Sequence, residues 1–203
     1  MPRRRLVGAL VLTLALAATS CQLLDRSRLR FSNQLSAPVR LVLGDEPRTL
    51  APGETVVLRV PRVGASVAEW EMVRPLSADG KPMGEEIRGA IVPRGGTVDD
   101  SAWVRQGETD YFAPLITNAS SGVLRVSINA GLEGARDCEC AVRPGANRVF
   151  IGYYRLYQNS TVQARSPSGA EATFRDLGPQ VKTRDGTVGL RFEDKDLRPL
   201  VSR

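Results

Sequence analysis

Phe31-Ser32-Asn33-Gln34-Leu35-Ser36-Ala37-Pro38-Val39-Arg40-Leu41-Val42-Leu43 lies without a gap against Ile116-Thr117-Asn118-Ala119-Ser120-Ser121-Gly122-Val123-Leu124-Arg125-Val126-Ser127-Ile128. Asn33 meets Asn118, Ser36 meets Ser121 and Arg40 meets Arg125. Val39, Leu41 and Leu43 fall on Leu124, Val126 and Ile128, so the apolar residues of both runs recur at period two with the same parity. A slip of one residue would exchange the faces of the two strands and destroy the match.

After seven extra residues in the second copy the match resumes, with Pro52-Gly53 on Pro144-Gly145, Val57 on Val149 and Pro75 on Pro167. A tandem duplication of an all-β unit accounts for this. Each copy is expected to be a small antiparallel β-sandwich of the immunoglobulin-like kind, and one larger sandwich built from both halves is the alternative. The 19 Gly and 13 Pro recur between short runs rich in Val, Leu and Ile, as all-β chains are punctuated. In the first copy strands are expected at 39–43, 55–60, 68–73 and 87–92. Ala51-Pro52-Gly53-Glu54 reads as a turn and Asp79-Gly80 as a hairpin signal. The expected organisation is repeat 1 at 31–95, a linker at 96–114, and repeat 2 at 115–203, ending in a hairpin at 181–192 and a charged, frayed tail at 193–203.

Ahead of the repeats stands Arg3-Arg4-Arg5, an apolar run at 6–18, then Thr19-Ser20-Cys21. At about 1.5 Å per residue the run reaches roughly 20 Å, short of the ~30 Å hydrocarbon core, so it reads as a secretory signal peptide at 1–20 and not as a permanent span. Ala18-Thr19-Ser20-Cys21 resembles the lipobox of bacterial lipoproteins. The resemblance implies lipidation of Cys21, an anchor and short tether at 21–30, and attachment to the bilayer through acyl chains, each buried CH₂ being worth roughly 0.8 kcal/mol. Gln22 follows where the inner-membrane retention signal of that family would have Asp, so the expected address is the cell envelope, in the outer membrane facing the periplasm. An ordinary secreted protein with Cys21 left as a free thiol is the alternative.

Charge and composition narrow the function. Removing Arg3, Arg4 and Arg5 from the 28 basic residues leaves 25 against 22 acidic ones, so the excess of +6 falls to +3. The remaining arginines are scattered singly, which argues against nucleic acid as a partner. No His is present to serve as acid, base or metal ligand. Ser77 and Lys81 are one residue too far apart for Ser-x-x-Lys, Asp99-Asp100 and Glu85-Glu86 are adjacent and so point to opposite faces of a strand, and Gly95-Gly96 opens no helix. A non-enzymatic protein without cofactor is expected.

Cys138 and Cys140 flank Glu139, with Asp137 before them, in the loop or strand where the seven extra residues sit. On a regular strand both sulfurs would share a face. A disulfide within Cys-x-Cys, capture of a soft metal ion, and an intermolecular contact are the three readings; the first is preferred and no metal site is assigned, because nothing in the spacing brings Met72 or Met83 nearby. Candidate ligand or partner contacts are Trp103 and Tyr111 in the aromatic-bearing connection, and Tyr153, Tyr154 and Tyr157 in the most aromatic stretch, whose other reading is core strand. Taken together the chain is expected to be a structural or accessory component of an envelope assembly that binds an envelope protein. A carbohydrate or cell-wall binding module is the alternative.

Overall fold

The computed structural model describes residues 28–60, 67–93, 96–106, 109–132, 136–181 and 185–199. Its strands are β1 (Arg28–Asn33), β2 (Val39–Leu43), β3 (Glu46–Leu50), β4 (Thr55–Arg59), β5 (Ala68–Met72), β6 (Arg88–Ile91), β7 (Thr97–Ala102), β8 (Arg105–Gln106), β9 (Thr109–Asn118), β10 (Leu124–Ile128), β11 (Arg136–Val142), β12 (Val149–Phe150), β13 (Tyr154–Arg155), β14 (Val162–Arg165), β15 (Glu171–Phe174) and β16 (Thr187–Phe192). The chain is all-β, and its strands form two sandwich units of the same topology.

In the first unit β1 pairs antiparallel with β4 and parallel with β7, and a second sheet runs β3-β2-β5-β6. In the second unit β9 pairs antiparallel with β12 and parallel with β16, and the second sheet runs β11-β10-β14-β15. The seven strands of each unit correspond one to one. Within a unit the order is 4-1-7 over 3-2-5-6, against 1-2-5-4 and 3-6-7 in an immunoglobulin constant domain. The two layers and their alternating inward residues are shared with that class.

Period two decides which side chains are inside. Val39 and Leu41 of β2, and Leu124, Val126 and Ile128 of β10, are all buried, on the parity read from the sequence. In the first unit they pack with Leu29 and Phe31 of β1 and with Ala68, Trp70 and Met72 of β5. The Phe31 and Trp70 rings lie 6.1 Å apart. The indole lies across Gly89 of β6 so closely that a Cβ there would come within 2.6 Å of it, which accounts for a glycine in mid-strand. The second core is built likewise from Phe112 and Ile116 of β9, the β10 residues, and Val188, Leu190 and Phe192 of β16.

The duplication extends to buried polar chemistry. Asn33 donates from Nδ2 to the carbonyls of Ala37 (2.9 Å) and Leu50 (3.1 Å), and its Oδ1 accepts from Leu35 N–H (2.9 Å). Asn118 donates to Gly122 (2.8 Å) and Val142 (2.8 Å) and accepts from Ser120 N–H (3.0 Å). These are equivalent partners once the seven extra residues are allowed for. Main-chain bonds repeat as well: Gly53 N–H to Asn33 and Gly145 N–H to Asn118, Gln34 N–H to Ala102 and Ala119 N–H to Phe192. Gly53 and Gly145 occupy the same left-handed turn position, at φ 79° and 78°.

Two expectations are corrected, and β3 is a strand that the pattern does not indicate. The stretch 96–114 is not a linker, because β7, β8 and the first half of β9 fill most of it; β7 closes the first unit against β1. Strand β3 holds Glu46 and Pro47, residues that β propensity disfavours, and Pro47 is tolerated because β3 is a sheet edge. Most of the first arm of the hairpin expected at 181–192 lies outside the described residues; its second arm, β16, runs parallel to β9. Residues 193–198 are docked, with a 3₁₀ turn at Asp194–Asp196, a Glu193–Asp196 capping box, and a bridge from Arg198 to Glu171. Lys195 and Arg191 grip the Glu193 carboxylate and hold its pKa down at about 2.

Candidate functional site

Besides the seven extra residues around β11, the connections that differ between the units are those that join them. The β5–β6 connection, 73–87, is long where its counterpart, 166–170, is short; the second unit instead has 151–161 between β12 and β14. Met83 from the first connection packs against the second core, and Tyr153 from the other is fully buried in the first. Between them Glu85 N–H donates to the Tyr153 carbonyl at 2.7 Å. Gly84 and Gly152, at φ 78° and 106°, bring their backbones into contact where no side chain fits.

Tyr153 and Tyr154 are therefore corrected as surface contacts. They are 0 % and 2 % exposed. The Tyr153 hydroxyl accepts from Ser36 N–H (2.8 Å) and donates to the Asp185 carbonyl (2.6 Å), while Ser36 Oγ donates to Asp185 Oδ2 (2.6 Å). Ser121, the equivalent of Ser36, likewise donates from Oγ to an aspartate, Asp194 Oδ1 (3.1 Å), and its N–H donates to the same oxygen at 3.0 Å. The Tyr154 hydroxyl donates to the Ile151 carbonyl at 2.9 Å. Tyr111 is half-buried against the first core and Tyr157 is half-buried. Trp103 is 45 % exposed. The sequence run 153–157 thus supplies an internal brace, and of the five aromatic candidates Trp103 presents the most surface.

Burial pushes the Tyr153 hydroxyl up to about 12 and raises Tyr154 further. Below pH 10 the tyrosines are protonated in both folded and unfolded chains, and stability is full. As pH rises from 10 towards 12 the unfolded chain releases protons that the fold retains. Stability should then fall by about 1.4 kcal/mol per pH unit for each tyrosine. Urea melts between pH 9 and 11.5 should show that slope, reduced by about half in Tyr154→Phe; a flat profile would contradict the burial of both rings.

Cys140 is 5 % exposed, and its Sγ lies 3.1 Å from Met83 Sδ, a neighbour that the spacing in sequence does not indicate. The register of β11 on β10 jumps from Val126↔Cys140 to Ser127↔Asp137, so Cys138 and Glu139 sit in a bulge of this edge strand and the simple parity argument for the pair does not hold. The Cys138 side chain and all of Cys21 lie outside the described residues, and the expected disulfide stays a proposal. Among the described residues no group of three or more His, Cys, Asp or Glu is placed to hold a metal ion.

What the fold presents outward is a pair of shallow grooves, one on the outer face of each four-stranded sheet. The first, about 600 Å³, is lined by Arg40, Val42, Glu69, Glu71, Arg88 and Ala90. The second, about 660 Å³, is lined by Arg125, Ser127, Ala130, Ala141, Gln163 and Arg165. They occupy equivalent positions, since β2 and β10 form the floor of each. Sequence reasoning missed both grooves; the signal that could have found them was the outward parity of Arg40 and Arg125. Sheet edges are mostly blunted, by Pro47 in β3, Asp99 and Asp100 in β7, the bulge in β11 and the tail bridge on β15. Strand β4 is also an edge, and its Val57 is 58 % exposed.

The geometry defines a double β-sandwich with open outer faces. Compared with protein-family models, curated proteins and solved structures, the chain matches none.

Proposed function

We propose that the protein is a lipid-anchored, periplasm-facing envelope component that acts by binding another protein. The observation that carries this reading is the locked double unit: reciprocal insertion of Met83 and Tyr153 fixes the two grooves and the β4 edge in one frame. Broad, shallow, polar faces and an edge strand with Val57 exposed suit extended polypeptide, which can add to an edge by main-chain hydrogen bonds. The anchor comes from the lipobox resemblance at Cys21. No helix among the described residues is long and apolar enough to cross a membrane. The carbohydrate alternative loses two of its aromatic contacts to the interior and keeps Trp103.

Two measurements test the reading. Cys21→Ala should abolish acyl labelling and move the protein from the membrane to the soluble fraction; unchanged labelling would remove the anchor. Photo-crosslinkers placed at Val57 or Ala90 should capture a defined envelope protein in intact cells. Retention on peptidoglycan that is lost in Trp103→Ala, without any protein crosslink, would favour the carbohydrate alternative.

A further inference from the structure

The duplicated faces differ in one cross-strand pair. In the first unit Arg40 stands directly opposite Glu71, and the two form an ion pair at 3.2 Å. In the second, Arg125, the equivalent of Arg40, stands directly opposite Arg165. Like charges facing each other across a ladder destabilise it, so the second unit carries an electrostatic cost that the first avoids with the same architecture.

Glu171 relieves only half of this. It lies opposite Arg165 on β15, is gripped by that guanidinium, and also accepts from Gln163 Nε2 at 2.6 Å. Arg125 is exposed and has no ion-pair partner among the described residues. It borders an open groove of about 660 Å³ in which Ala130 and Ala141 leave space, and none of its described lining residues is acidic.

We propose that this face docks an acidic, extended segment of a protein partner, with partner carboxylates lying on the Arg125–Arg165 pair and accepting from Ser127 and Gln163. A guanidinium presents a planar fork of donors that matches a carboxylate. No aromatic ring is among the described lining residues, so they offer no flat apolar platform for a sugar to stack on, and polypeptide is the better fit. The proposal rests on the protein-binding reading above and names the chemistry of the partner.

The test uses the full-length protein in detergent and, as probes, a fluorescent Glu-rich decapeptide, its Gln-rich counterpart and a uronic-acid oligosaccharide. The acidic peptide should bind with a strong salt dependence and the Gln-rich peptide should not. Arg125→Glu should weaken acidic-peptide binding at least tenfold. Because this substitution recreates the Arg–Glu cross-strand pair of the first unit, the melting temperature should hold or rise, which separates lost binding from lost folding. Arg40→Ala should leave peptide binding unchanged. Equal binding by wild type and Arg125→Glu, equal binding of both peptides, or preference for the oligosaccharide would overturn the proposal. So would a self-association that Arg125→Glu abolishes, since the face would then be covered by a second copy. Loss of peptide binding at this groove while the Val57 crosslink persists would place the partner elsewhere and leave the broader reading standing.

Discussion

Asn118→Ala is expected to lower the stability of the protein by about 3 to 5 kcal/mol, among the largest effects of any single substitution outside the junction. The side chain is fully buried and satisfies three separate main-chain groups: the carbonyls of Gly122 and Val142 and the N–H of Ser120. It also accepts from Ser120 Oγ at 2.7 Å. Each buried polar group left unpaired costs about 1–3 kcal/mol, and the losses are not fully additive because water reaches part of the vacated space. No side chain other than an amide both donates twice and accepts here. Asn118→Asp keeps the acceptor and loses both donors, so it should be nearly as damaging at pH 7 and recover part of the loss near pH 4, where a protonated carboxyl regains one donor. Asn33→Ala should cost a comparable amount through Ala37, Leu50 and Leu35. Urea melts of the four proteins measure this; a loss below 1 kcal/mol at Asn118 would mean that the amide does not hold the loop and strands together.

The same asparagines show why much of the fold was legible. Asn33 and Asn118 align because a buried amide that closes a loop on two strands tolerates few replacements, and the period-two runs beside them record which face is inside. Strand β2 falls on the expected residues, and β4, β5 and β6 fall within a residue or two of them. Each of these rests on local pattern and turn chemistry. The parallel closure of β1 by β7 rests on nothing local: Thr97-Val98-Asp99-Asp100 has the polarity of a connection, and it becomes a strand because β1 offers an edge. Pro47 hid β3 in the same way. The site was less legible than the fold. A run such as Phe150 to Tyr157 has the same composition whether it lines a surface or plugs a neighbouring core, and only the position of Gly152, at a φ forbidden to other residues, marks it as a junction. Arg125 was visible as the partner of Arg40 in the repeat, but its meaning depends on Arg165, forty residues away and opposite it only through β14.

Gly152→Ala is the substitution expected to separate the two units. At φ 106° an alanine lies outside the left-handed region that L residues tolerate. Its Cβ would also stand 2.9 Å from the Met83 carbonyl oxygen and 3.0 Å from Gly84 Cα, both backbone atoms that cannot swing aside. Strain and clash together should cost about 3 kcal/mol or more, and the chain can relieve them by withdrawing the loop. Withdrawal takes Tyr153 out of the first core, leaves the Ser36 N–H and Asp185 carbonyl without their shared hydroxyl, and removes Met83 from the second core. Gly84→Ala meets the same backbone from the other side, at 2.7 Å from the Tyr153 carbonyl oxygen, and should act alike. Tyr153→Phe keeps the ring in place and loses only the hydroxyl bonds, so it should cost about 1 to 2 kcal/mol without separation. In the wild type, tryptophan fluorescence, dominated by Trp70 in the first core, and far-ultraviolet circular dichroism from both units should report one coincident transition. In Gly152→Ala the two should part, because each sandwich keeps most of its own core when Tyr153 and Met83 withdraw. Coincident transitions at an unchanged midpoint would show that the junction contributes nothing to the rigidity on which a fixed pair of docking faces depends.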